Sequence, residues 1–249
     1  MNVRNLLFSM MLLTFVNLSR AQESHPFYHF TESNSESKAW LALLPGSSGL
    51  EIFGDTTHYY SYAEEFSKQG YDVLTLDYKA AYRNAERKEE ETTGEKILWV
   101  LNDAIEWAKE NHLIKGEGGV VGWSLAGEGL VILSNDPSRI SDIKYLCLFY
   151  PSNKNEVLSD SEIPLLVLTG EEDNVTPFSM ISTTFQACKN CEVVGYKDAA
   201  HGFDIKSLTK ARSMRFPPLI GRKYTFEYNE KAAKDAKSKV IQFIKDNSK

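Results

Sequence analysis

Cysteine is scarce in this chain, with three in 249 residues. That scarcity excludes a small disulfide-stapled scaffold. Only one C-x-x-C pair exists, so the further ligands of a zinc site are missing as well. Basic blocks are also lacking. The 34 Asp and Glu outnumber the 28 Lys and Arg, for a net charge of −6, which argues against nucleic acid or an anionic membrane as partner. There is no internal repeat, and the longest apolar run, residues 6–16, is too short to span a bilayer.

That run belongs to what is present. Arg4 precedes it and Ser19-Arg20-Ala21 follows, which reads as a secretory signal peptide over residues 1–21, with Gln22 opening the mature protein. No cysteine lies near the cut, so lipid attachment is not expected. The expected location is therefore secreted or periplasmic, with no membrane association after cleavage. Residues 22–38, polar and serine-rich, read as a lead-in, and 39–249 as a single domain of ordinary α/β size, expected to be a monomer.

Within that domain, strand and helix patterns alternate at spacings that suit a mostly parallel sheet covered on both faces. Strands are expected at 40–44, 71–76, 119–122, 143–149, 165–169 and 192–196. Helices are expected at 60–69, after a Thr92-x-x-Glu95 capping box, from 125 to about 134, from Thr176-Pro177, and after Asn229. The charged stretch around 86–91 reads as solvated surface. Cys147 sits in an apolar run and reads as a buried thiol. Cys188 and Cys191 close a helix before a strand. In an exported protein a local disulfide is the preferred reading there, with a redox pair as the alternative.

The chemistry centres on Gly122-Trp123-Ser124-Leu125-Ala126-Gly127. An apolar strand leads into a small residue, then a serine, then another small residue, then a helix. This is the layout of a nucleophile elbow. Alone the pattern is short, and an ordinary strand–turn–helix junction would spell it equally well. Two further groups follow predicted strands: Asp173 in Gly170-Glu171-Glu172-Asp173, and His201 in Ala199-Ala200-His201-Gly202-Phe203. Aspartate is common in surface turns, and a loop histidine is often only structural. His25, His29, His58 and His112 are worse placed than His201. The order Ser, Asp, His at strand ends of an α/β sheet matches the α/β-hydrolase arrangement. His201 is the candidate base, Asp173 its orienting partner and Ser124 the nucleophile.

On G-W-S-x-A-G, G-x-x-D-x-x-x-P, A-x-H-G-F and Gly70-Tyr71-Asp72-Val73-Leu74, the chain resembles the dienelactone hydrolase family of the α/β-hydrolase superfamily, from about Trp40 to the C-terminal helix. The resemblance implies an α/β-hydrolase fold and a cofactor-free, metal-free hydrolase acting on a small-molecule ester or lactone through an acyl-enzyme. Serine stands where the namesake enzymes carry cysteine, which points to general ester hydrolysis. The oxyanion needs two N–H donors. Leu125, just after the nucleophile, is one expectation, and Ser47 in the loop after the first strand is the other, with Ser48 beside it. Glu51-Ile52-Phe53-Gly54 also spells the namesake E-I-F-G; if it holds the family position, Ile52 replaces Ser47 and Glu51 lines the pocket. Residues 204–228 are rich in Lys and Arg and read either as a cover favouring an anionic substrate or as an irregular surface loop. Two rival readings are a peptidase or acyl-peptide hydrolase of the same fold and a non-catalytic binding protein on a hydrolase scaffold.

Overall fold

The structure is a computed structural model that describes residues 24–85, 91–152, 158, 161–216, 218 and 220–248. The expected signal segment and residues 86–90 of the charged stretch lie outside the described residues.

Seven strands form one sheet. Six of them, β2 (Ala39–Leu44), β3 (Tyr71–Leu76), β4 (Gly118–Trp123), β5 (Ile143–Phe149), β6 (Leu165–Gly170) and β7 (Cys191–Tyr196), run parallel in the order β3-β2-β4-β5-β6-β7. The seventh, β1 (Tyr28–Thr31), pairs antiparallel along β3. It comes from the segment read as a lead-in, so the sheet begins earlier than residue 39. Four residues carry too little alternation to announce a strand. Tertiary pairing with β3 creates it, and Tyr28 is pinned by a hydroxyl bond to Asp103 at 2.6 Å.

The central strands are mostly apolar because both faces are covered. Side chains alternate by twos. Leu41, Leu43, Val121, Trp123, Cys147, Phe149 and Leu168 pack under α1 (His58–Lys68) and α6 (Glu230–Asn247). Ala42, Leu44, Val120, Leu146, Leu148 and Val167 pack under α3 (Thr93–Glu110), α4 (Gly127–Asn135) and α5 (Phe178–Phe185). The remaining helix, α2 (Tyr78–Asn84), lacked a pattern long enough to be read from sequence; Asp77 caps it by accepting from the Ala80 N–H. Half of the expected capping box forms: Thr92 accepts from the Glu95 N–H, while the Glu95 carboxylate turns to Arg139 at 2.8 Å. Asn229 caps α6 as expected, accepting from Ala232.

Cys188 and Cys191 are disulfide-bonded, with Cα atoms 5.4 Å apart, across the turn from α5 into β7. Cys147 is buried and unpaired. The disulfide lies at the amino end of β7, whereas the site described below lies at the carboxyl ends of the strands. Replacing both cysteines by serine is therefore expected to cost about 2 kcal/mol in urea unfolding, as a short closed loop dictates, with kcat unchanged. A large loss of kcat in the folded variant would contradict that separation.

The basic 204–228 segment is not irregular. After a single turn at Lys206–Leu208, strands β8 (Arg212–Phe216) and β9 (Arg222–Phe226) form an antiparallel hairpin that returns beside the His201 loop. Among the described residues no helix is long and apolar enough to cross a membrane, and no His, Cys, Asp or Glu cluster could hold a metal ion.

Candidate active site

Ser124 sits at the carboxyl end of β4, at the first position of a short 3-10 turn (Ser124–Ala126) that leads into α4. Its φ is +48°, a left-handed conformation that L side chains seldom adopt. Small neighbours make the turn possible: a Cβ on Gly122 would stand 3.1 Å from the Ala126 Cβ and 2.5 Å from Leu130. The Ser124 carbonyl is held by the Ser152 N–H at 2.7 Å. Strain of this kind persists only where the surroundings enforce it.

The three expected residues meet. His201 Nε2 lies 3.1 Å from Ser124 Oγ, and its Nδ1 lies 2.7 Å from Asp173 Oδ2. A carboxylate only accepts, so Nδ1 carries the proton and the Nε2 lone pair faces the serine hydroxyl. Both His201 and Asp173 are buried. Asp173 cannot rotate: its Oδ1 accepts the N–H groups of Val175 and Thr176 at 2.7 and 2.9 Å. The Thr176 hydroxyl lies 2.9 Å from Oδ2 and 3.2 Å from the Tyr150 carbonyl. Thr176-Pro177 reads in the sequence as a helix start; the D-x-x-T spacing, which favours a local side-chain turn, is the signal for its second role.

The expected oxyanion donors lie on two segments beside Ser124. Leu125 is the second residue of its turn, where a backbone N–H has no intrahelical acceptor. Gly46 packs against the nucleophile, since a Cβ there would lie 3.3 Å from the Ser124 Cβ. The Gly46 N–H is held by the Tyr59 hydroxyl at 2.9 Å, which fixes the loop carrying Ser47. Ile52 is different. It forms a tight bridge with Asp55, its N–H donating to the Asp55 carbonyl at 2.8 Å, with Phe53 and Gly54 both at positive φ. The alternative that placed the second donor at Ile52 is therefore corrected: its N–H is already used. Glu51 is exposed.

Groups the sequence did not disclose complete the surroundings. The Tyr150 ring lies 4.4 Å from the His201 ring, and Tyr150 is itself held at φ +38°. Phe226 of β9 contacts the His201 ring edge-on at 5.5 Å. Phe53 packs on Phe226 at 5.1 Å, and the Arg212 guanidinium lies over Phe53 at 5.5 Å. Asn174 staples the hairpin to the acid loop by bonding the Lys223 carbonyl and the Thr225 N–H. No sequence pattern could pair residues so far apart.

A serine on a strained strand–helix turn, faced by a histidine–carboxylate pair at the carboxyl ends of parallel strands, defines a hydrolase of the α/β-hydrolase class. The chain belongs to the dienelactone hydrolase family, which matches residues 50–248, and is accordingly a carboxylic ester hydrolase. The match begins beyond β2 and so excludes the Ser47 loop. Among solved structures, Thermogutta terrifontis esterase 2 phosphoramylated by tabun is similar with 15% identity, 88% coverage of both chains and a TM-score of 0.61. Est1E from Butyrivibrio proteoclasticus has 15% identity, covers 88% of this chain and 94% of its own, and has a TM-score of 0.59. An alpha-beta serine hydrolase homologue from Coxiella burnetii has 16% identity, 71% and 83% coverage and a TM-score of 0.56. No curated protein matches the chain.

Proposed function

We propose that this protein hydrolyses a small carboxylic ester or lactone through an acyl-enzyme on Ser124. The observation that carries the reading is the continuous chain from Ser124 Oγ through His201 to Asp173, at 3.1 and 2.7 Å. His201 takes the Ser124 proton during attack and returns it to the leaving alcohol. Water, activated by the same nitrogen, then releases the acid. Asp173 holds the tautomer and stabilises the imidazolium. The N–H groups of Leu125 and Ser47 receive the oxyanion. Support for reactivity toward a phosphonate probe comes from the similar Thermogutta esterase, which is described as phosphonylated by cyclosarin.

A fluorophosphonate probe tests this directly: the native protein should label and Ser124→Ala should not. Equal labelling of the two would sink the proposal. A panel of short-chain, aromatic and lactone esters would then identify the substrate. Hydroxycinnamate esters merit inclusion because Est1E is described with ferulic acid bound.

The Phe53–Phe226–Arg212 wall beside His201 favours an acyl or alcohol group that is apolar with an anionic end. Arg212→Ala is expected to raise KM for an anionic ester several-fold and leave a neutral ester unaffected; an unchanged KM for the anionic ester removes this preference. Export to the periplasm or exterior is part of the same proposal, supported by the N-terminal sequence pattern. Mass spectrometry of protein made in an exporting host should find Gln22 as the first residue, and an intact N-terminus would contradict it.

A further inference from the structure

A buried acid outside the serine–histidine–aspartate chain lies close to it. Asp204 follows His201 by three residues, and its side chain is completely enclosed. Its Oδ2 accepts from Tyr62 Oη at 3.0 Å and from Trp123 Nε1 at 2.9 Å; its Oδ1 accepts from Tyr150 Oη at 2.7 Å. His58 Nε2 stands 3.5 Å from Oδ2 without hydrogen-bond alignment. Burial raises the Tyr62 and Tyr150 hydroxyls well above the usual phenol range and keeps His58 below the usual imidazole range. Both phenols therefore stay donors. Lys237 of α6 bears on Asp204 only at a distance, its ammonium lying over the Tyr62 ring at 4.7 Å and its pKa lowered by burial. Tyr59 and Tyr228 also face Asp204 electrostatically.

Such an arrangement is costly for a fold that could fill the space with apolar groups. Its geometry points inward to the reaction. Trp123 immediately precedes Ser124, and Tyr150 lies against His201 at 4.4 Å. A phenol that donates to a carboxylate has a more electron-rich ring, and such a ring attracts a neighbouring cation. His201 becomes a cation in each chemical step. Its own ring contacts are Tyr150 and Phe226, and its polar partners are Asp173, Thr176 and Ser124.

We propose that Asp204 is a positioning residue for this reaction: it anchors Trp123 and Tyr150 around the nucleophile and the base, and its buried charge, passed through Tyr150, favours the transient imidazolium of His201. The inference rests on the serine–histidine reading above.

Asp204→Asn separates charge from shape. With its amide oxygen toward Trp123 and Tyr62, its NH₂ faces Tyr150, whose hydroxyl can turn to accept; the shape and the number of contacts are kept, while the charge and the donation from Tyr150 are lost. The pH profile of kcat/KM on an ester shown to be turned over by native enzyme is the readout. Without the charge, His201 holds its proton less tightly, so the acid limb should move to lower pH by roughly half a unit or more. On the plateau kcat should fall by about tenfold with KM unchanged, as for an interaction made only in the transition state. Tyr150→Phe, which keeps the ring and removes the link, should move the limb the same way by less; it carries the test alone should Asp204→Asn not fold. A folded variant with a lowered Tm but an unmoved acid limb and native kcat would overturn the proposal and leave Asp204 a structural residue. Absence of Ser124-dependent turnover in the native enzyme would instead remove the parent reading, and this one with it.

Discussion

Ser124→Ala lowers kcat by about 10⁴-fold or more, His201→Ala does the same, and the double variant is no slower than either single one. The non-additivity is the informative part. A serine hydroxyl is a weak nucleophile until a base removes its proton, and a base with no serine to serve does nothing. The two side chains thus act as one unit, joined here by a 3.1 Å contact, and losing either loses the whole function of the pair. What survives is the rate given by binding and by the oxyanion donors, on the order of 10³ over water. Steady-state kinetics on the best ester of the panel measures all three variants. Losses that multiplied in the double variant would mean that Ser124 and His201 act independently, which the geometry forbids.

Gly170→Ala is the second large effect, and it strikes stability and activity together. Gly170 ends β6, where the acid loop begins. A Cβ there would stand 2.1 Å from the Ala199 carbonyl oxygen and 2.6 Å from its carbon. Both are backbone atoms of the loop that leads to His201, so no side-chain rotation relieves the clash. The same loops are tied by the Glu172 N–H to the Ala199 carbonyl at 3.0 Å. Relief requires the loops to part by about 1 Å. Overpacking of this kind costs about 3 kcal/mol, or roughly 6–12 °C in Tm for a domain of this size. The same displacement pulls His201 from Asp173, and a misplacement of about 1 Å costs on the order of 10²-fold in kcat. An alanine variant with native Tm and native kcat would show that the two loops do not approach this closely.

Much of this was legible in the chain itself. Strands β2 to β6 are buried on both faces, so they spell themselves as apolar runs. Helices α3 and α6 carry apolar residues at helical spacing behind caps. Ser124 directly follows such a run, Asp173 lies in the loop after β6 and His201 in the loop after β7, and the sheet then decides where strand ends lie. The Cys188–Cys191 disulfide was readable for a different reason: no further zinc ligands exist at matching spacing, and the pair closes a helix before a strand in a chain that reads as exported.

What stayed hidden depends on contacts between distant segments. β1 exists because β3 offers an unpaired edge. The β8–β9 hairpin looked irregular because its alternation is weak and its stabilising partners, Asn174 and Phe53, lie far away along the chain. That the Ile52 N–H is taken up by the Asp55 carbonyl is a single backbone hydrogen bond, which no residue type reveals. Asp204 is the clearest case. Its neighbours Tyr62, Trp123 and Tyr150 come from a helix and two strand ends, and nothing in Phe203-Asp204-Ile205 distinguishes a buried, triply bonded acid from a solvated one. Local pattern suffices where a residue's environment is set by its own strand or helix; where three segments must converge to make that environment, only the folded chain supplies it.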